Sequence, residues 1–279
     1  MNKVYIKVAL ALLSVTGYMQ NIAFASEHAP TIISSNVEDK QQVSIDPEEA
    51  KEAENVMAEA LALAQKHAEY TQNYKLYYNQ NGVTLHLKNF NDTEIGRFEF
   101  TIPNPDSYAD IVNMLWDPNG PKNYDDLFDK GSFYRIYNEK LAIVQQYYIG
   151  PEDTWNTYCQ ALAGKFQLSE DETAIVLTSS NMNPDGDTSY EKYINPIVES
   201  ANKFNPKFNS EIYTRNRALP QMYINLMAFF IKKEADYVKI THIGSFDHDL
   251  MYFLKDIHRL LTSKKIVDAI NLRDIFKKE

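Results

Sequence analysis

An α+β fold, with one antiparallel sheet and helices at its two ends, is predicted by three features of the sequence. Apolar residues recur every three or four positions from Ala50 to His67, the period of a helix with one buried face. The period then drops to two between Tyr74 and Ile102, as in half-buried strands. Helical spacing returns at the C-terminus, where Leu250, Phe253, Leu254, Ile257, Leu260, Leu261, Val267 and Ile270 make one apolar face. Strands are grouped and do not alternate with crossover helices, which separates α+β from a parallel α/β sheet. A bent sheet with one long apolar helix across it encloses an interior.

Asp46-Pro47-Glu48-Glu49 opens the first helix. Asp46 caps it, Pro47 suits its first position, and the glutamates favour its positive end. Ala50, Ala53, Met57, Ala60, Ala64 and His67 form the buried stripe, where small residues permit close packing and His67 reads as a packed core histidine. Tyr74–Tyr78 and Val83–Leu87 flank a turn at 79–82 and read as a hairpin. Ile95–Ile102 adds a third strand, with Phe98, Phe100 and Ile102 on one face and Arg97, Glu99 and Thr101 on the other. Asn91-Asp92-Thr93 between them is a glycosylation sequon.

Pro103 and Pro105 end this sheet segment, and a helix runs from Asp106 to Trp116 until Asp117-Pro118-Asn119-Gly120 breaks it. A short helical piece is expected over Lys122–Asp129. Strands follow at Phe133–Tyr137, Leu141–Ile149, Trp155–Phe166 and Thr173–Ser180. Asn181–Pro220 is a polar insertion, helical from Tyr190 to Asn202. Gln221–Lys232 and Tyr237–Ile243 are two further strands, and a loop carrying His242, Asp247, His248 and Asp249 leads to the last helix, with a break expected near Thr262-Ser263.

Residues 1–25 read as a secretory signal peptide. Lys3 and Lys7 precede a short apolar run, Val8–Val15, and Ala23-Phe24-Ala25 is a cleavage signal, so a mature chain is expected to begin at Ser26. Residues 26–46 read as a flexible linker and 47–279 as the folded domain.

The 279-residue chain is 44% hydrophobic, enough for a sizeable core without staples. A net charge of −10 without a basic cluster disfavours nucleic acid as a partner. One cysteine, Cys159, excludes an intramolecular disulfide and a multi-cysteine metal site; it reads as a small buried hydrophobe. The sequence holds no G-x-S-x-G, H-E-x-x-H, P-loop or G-x-G-x-x-G motif, so neither an enzyme nor a cofactor is expected. What stands out is polar groups interleaved with large apolar ones on strands. Leu141, Ile143, Gln145, Tyr147 and Ile149 share one face, as do Phe133, Arg135 and Tyr137. Turned inward, such faces suit an amphipathic ligand; turned outward, their polar members are simply solvated.

Several longer stretches carry a family resemblance: Met57-Ala-Glu-Ala-Leu-Ala-Leu-Ala-Gln-Lys-His67, Phe100-Thr-Ile-Pro-Asn-Pro-Asp-Ser-Tyr108, Asp110-Ile-Val-Asn-Met-Leu-Trp-Asp-Pro-Asn-Gly120, Tyr193-Ile-Asn-Pro-Ile-Val198, Phe229-Phe-Ile-Lys-Lys-Glu-Ala235 and Ile270-Asn-Leu-Arg-Asp-Ile-Phe276. Through them the chain resembles the fam-a proteins of rodent malaria parasites, a secreted family with a StAR-related lipid transfer (START) domain. The resemblance implies a helix-grip fold, in which a curved antiparallel sheet wraps the C-terminal helix around a lipid tunnel. It also implies transfer of phospholipid, phosphatidylcholine first, by a monomer in transient contact with membranes; the alternatives are a cyclase-like helix-grip enzyme using the same cavity and a host-interaction surface protein without a functional tunnel. Export to the parasitophorous vacuole or host erythrocyte is implied as well. In phosphatidylcholine-binding START domains an Arg and an aromatic-Asp pair lie near the headgroup. The aromatic-Asp pair corresponds to Tyr124-Asp125, while Pro121 stands at the Arg position with Lys122 beside it. The lipid-binding set expected is therefore Lys122, Tyr124, Asp125, Arg135, Gln145 and Tyr147, with Lys122 or Arg135 as the cation for Asp125.

Overall fold

The computed structural model describes residues 46–69, 71–80, 83–91, 93–150, 156–180, 182, 193–206, 219–248 and 262–277. The expected signal peptide, nearly all of the linker, Asp249 and the apolar positions from Leu250 to Leu261 lie outside them.

Helix α1 (Pro47–Glu69) opens the domain. Three strands follow, β1 (Lys75–Gln80), β2 (Val83–Phe90) and β3 (Thr93–Ile102), then helix α2 (Tyr108–Trp116). The remaining strands are β4 (Phe128–Asn138), β5 (Leu141–Ile149), β6 (Asn156–Ser169), β7 (Glu172–Thr178), β8 (Met222–Lys233) and β9 (Val238–His248). The chain is helical again at 262–267 (α3), passes a 3-10 turn at Asp268–Ile270, and ends in α4 (Asn271–Phe276).

The described strands form one curved antiparallel sheet in the order β1-β2-β3-β9-β8-β7-β6-β5-β4. After β3 the chain leaves through α2 to the far edge and lays strands back one by one until β9 meets β3. Side-chain alternation splits the buried residues into two layers. On the outer face, Ala53, Met57, Ala60, Leu61 and Ala64 of α1 pack on Ile143, Leu162, Val176 and Ile243. On the inner face, Ile111 and Leu115 of α2 and Ile266, Ala269 and Leu272 of the C-terminal helices pack on Phe98, Phe100, Ile231, Ile240 and Phe246. A Cβ at Gly96 would come within 2.3 Å of Ile266 Cδ1, and one at Gly244 within 2.8 Å of Ile266 Cγ1. Only glycine on both strands lets α3 approach the sheet this closely.

Four elements differ from the sequence expectations. The helix over Lys122–Asp129 shrinks to a 3-10 turn, Gly120–Asn123, and β4 begins already at Phe128. Here the Asp125 carboxylate accepts the Leu127 N–H (3.0 Å), which turns the backbone out of a helix. β9 extends to His248, so His242, Asp247 and His248 are strand residues. Gly244 and Ser245 look like a turn in sequence but pair with Met227 and Leu226. In the insertion, the described part is helical only as the 3-10 turn Glu199–Asn202. Side chains take the backbone donors that a helix would use: Asn195 Oδ1 binds the N–H groups of Ile197 and Val198, and the Glu59 carboxylate those of Glu199 and Ser200. The break expected near Thr262-Ser263 lies elsewhere: both residues are helical, and a 3-10 turn at Asp268–Ile270 separates α3 from α4.

Candidate functional site

On the inner face, the turn after α2 meets α3. Asp125 lies 5% exposed, with Oδ1 in its own turn and Oδ2 accepting a hydrogen bond from Lys265 Nζ at 2.9 Å. Burial opposes ionisation, but the Lys265 ammonium and the Leu127 N–H outweigh it and hold the carboxyl below its usual range. The same ammonium sits 3.4 Å from the centre of the Tyr148 ring, within cation–π reach. Tyr148 is held by Gln146: its hydroxyl donates to Gln146 Oε1 (2.9 Å), and Gln146 Nε2 donates to the Pro118 carbonyl (3.1 Å). Cys159 Sγ lies 3.9 Å from the same Gln146 oxygen, and burial pushes its thiol up to about 12, far from a reactive thiolate.

A cavity of about 20 Å³ opens beside this group, lined by Asp125, Tyr148, Thr157, His248, Lys265 and Asp268 among others. That is room for about one water. A second pair, Lys264 with Asp268 (2.5 Å), balances the charge at its rim. Asn271 Nδ2 donates to the Tyr124 carbonyl (2.9 Å), so the C-terminal segment is fastened to the 124–125 turn twice. Deeper in, His242 is fully buried against Phe229 (ring centres 4.0 Å apart), with Nδ1 3.1 Å from the Ile266 carbonyl. Burial lowers its pKa to about 3, so the neutral ring donates from Nδ1, and Nε2 has no partner among the described residues. The described residues hold no cluster of three or more potential metal ligands.

Of the residues expected from sequence, Tyr124 and Asp125 belong to this group; Tyr124 is buried and its main chain holds Asn271. Lys122 is exposed on the 3-10 turn. Arg135 is not the cation of Asp125. It pairs with Glu49 on the outer face, where Tyr137 also donates to Glu49 (2.5 Å). A bulge separates Phe133, opposite Val144, from Arg135, opposite Ile143, and so flips Arg135 to the other side. Gln145 and Tyr147 also fall on the outer face with Ile143, while Val144, Gln146 and Tyr148 point inward. Both faces of β5 are almost wholly buried, so apolar content along the strand carried no signal for which face lies inside. Lys265 escaped sequence reading too. Its distance to Asp125 along the chain is large, and only the packing of α3 brings them together.

Comparison with solved structures matches this architecture to human StAR-related lipid transfer protein 5, with a TM-score of 0.54 at 10% identity over 80% of this chain and 96% of that one. The chain has a START-like fold. Human STARD10 superposes with a TM-score of 0.52 at 11% identity, over 75% of this chain and 77% of that one. A StAR-related lipid transfer protein of Xanthomonas axonopodis gives 0.51 at 9%, over 74% and 100%. No protein-family model and no curated protein matches the chain.

Proposed function

We propose that the protein is a non-enzymatic lipid carrier that takes a phospholipid, phosphatidylcholine first, between its sheet and C-terminal helices. The observation that carries this reading is the Asp125–Lys265–Tyr148 group, a buried carboxylate, ammonium and aromatic face beside a cavity on the inner face of a START-like fold. These groups supply the polar contacts that orient a headgroup, and the apolar inner layer suits acyl chains. Burying ~30 acyl methylenes is worth about 20–25 kcal/mol gross at ~0.8 kcal/mol each. A bilayer offers nearly the same, so such a protein exchanges lipid and headgroup contacts choose the species. The resemblance to fam-a proteins supports the narrower reading of a monomer secreted to the parasitophorous vacuole or host cell. N-terminal sequencing that finds Ser26 at the start of the mature chain supports secretion, and Met1 there argues against it.

A second reading has a specific observation behind it. Phe98, Phe246, Ile266 and Leu272 pack together in the described inner layer, and the cavity beside Asp125 has a volume of about 20 Å³. A START-like protein that kept the fold with a filled interior would serve as an interaction surface instead. Native mass spectrometry of the purified protein after incubation with phosphatidylcholine vesicles separates the two. A complex heavier by one lipid, with liposome-to-liposome transfer, supports the carrier; neither signal supports the filled interior.

A further inference from the structure

We propose that Lys265 is an internal occupant of a cation site, and that a lipid ammonium headgroup displaces it and so unseats the C-terminal helix. This rests on the carrier reading and adds the headgroup chemistry and the trigger for opening. The Asp125 carboxylate and the Tyr148 ring face form a site for one cation, 2.9 Å and 3.4 Å from Lys265 Nζ. Both partners are buried, and Tyr148 is fixed in place by Gln146. The neighbouring pair is already closed, Lys264 with Asp268 one turn apart. While Lys265 Nζ lies against both the carboxylate and the ring, a choline or ethanolamine group cannot take the same position. The two cations therefore exclude each other.

The exchange has a physical direction. A lysine ammonium is compact and strongly hydrated and recovers that hydration when it leaves. A quaternary ammonium is weakly hydrated and suits an aromatic face. Lys265 also sits next to Ile266, whose side chain fills the notch over Gly96 and Gly244 and whose carbonyl accepts from His242. Withdrawing Lys265 disturbs this seat of α3 on the sheet. Headgroup binding and helix release are then linked reciprocally.

The test follows amide hydrogen exchange at 262–276 in the full chain, alone, with phosphatidylcholine vesicles, and with phosphatidylglycerol vesicles, with lipid capture monitored by native mass spectrometry. Phosphatidylcholine is expected to speed exchange at 262–267 on the order of tenfold, and phosphatidylglycerol to leave it unchanged. Equal acceleration by both lipids, or capture of phosphatidylcholine without acceleration, overturns the proposal. Choline chloride alone is a further arm: acceleration by it means the site reads the ammonium from any source, and acceleration only with vesicles assigns it to the lipid. Lys265→Met, checked for folding by circular dichroism, is expected to capture phosphatidylcholine about tenfold more tightly without gaining for phosphatidylglycerol. Equal weakening for both lipids makes Lys265 a direct phosphate ligand and also overturns the proposal. A parent protein that captures neither lipid refutes the carrier reading itself, and this inference falls with it.

Discussion

The two faces of the sheet each bury a carboxylate, a cation and a tyrosine, and the three groups are used differently. On the outer face Glu49 of α1 receives both Arg135 and the Tyr137 hydroxyl, so phenol and guanidinium converge on one carboxylate. On the inner face the Tyr148 hydroxyl turns away to Gln146 and the ring face meets Lys265, the partner of Asp125. The outer group joins a helix to an edge strand within a closed layer. The inner group fastens a C-terminal helix beside a cavity. The same three chemistries therefore serve as a rivet on one side and as a candidate ligand site on the other. The orientation of the tyrosine tells them apart.

The largest effect belongs to the rivet. Arg135→Leu leaves Glu49 buried without its guanidinium, and breaking such a pair costs about 3–5 kcal/mol. Urea denaturation is expected to show that loss, while phosphatidylcholine transfer per folded molecule stays at the parent rate. A variant that keeps its stability but loses transfer would place Arg135 in the lipid site and erase the contrast between the faces.

Each face also buries a histidine, which sharpens the comparison through pH. His67 on the outer face is held by the Tyr74 hydroxyl (3.0 Å), and burial with the nearby Lys88 and Lys66 lowers its pKa to about 4. His242 on the inner face is lowered to about 3, chiefly by burial. Both values lie below the ordinary 6.5, so the unfolded chain binds more protons between these limits. The stability they contribute is complete above pH ~6.5 and is lost as the pH falls toward the folded values. From pH 7 to pH 5 each is expected to cost about 2 kcal/mol, read from urea midpoints. His242→Leu and His67→Leu should each remove one share. Only His242 touches α3, so acid acceleration of amide exchange at 262–267 should vanish in His242→Leu alone. Loss of that acceleration in His67→Leu would mean the faces are coupled.

The alternation of Phe98, Phe100 and Ile102, the α1 stripe and the run of antiparallel strands were legible because period and burial agree there. β5 was not, because both faces are buried and a choice of phase by one residue exchanges Gln145 and Tyr147 for Gln146 and Tyr148. The bulge at Phe133/Arg135 hid the destination of Arg135 in the same way. Asp125 was reached through a family pattern and not through physics. Its cation, Lys265, arrives from the C-terminal helix by a long-range contact that no local spacing encodes.

Asp125 is the next smaller expectation. Asp125→Ala leaves Lys265 buried without its carboxylate and is expected to slow phosphatidylcholine transfer on the order of tenfold, about 1.4 kcal/mol. Combined with Lys265→Met it should be non-additive, because the two groups touch. Combined with Arg135→Leu it should be additive, because they lie on opposite faces. A liposome-to-liposome assay with fluorescent phosphatidylcholine measures all three. Coupling of Asp125 to Arg135 in place of Lys265 would reverse the assignment of the two groups.

The smallest expected effect is at Lys122, which stood beside Asp125 in sequence as its candidate partner. It lies exposed on the Gly120–Asn123 turn, whereas Lys265 already occupies the free carboxylate oxygen and the Leu127 N–H the other. An exposed lysine away from any cap or core contact changes stability by no more than about 0.5 kcal/mol when truncated. Lys122→Ala should therefore melt with the parent and transfer phosphatidylcholine at the parent rate in the same assay. Its surface charge leaves one other signature open, slower association with anionic vesicles at low salt that disappears at ~0.15 M salt, where charges separated by more than about 8 Å are screened. A tenfold loss of transfer that persists at high salt would show Lys122 reaching the headgroup directly. Proximity along the chain would then have been the better guide to the inner site than the packing of α3.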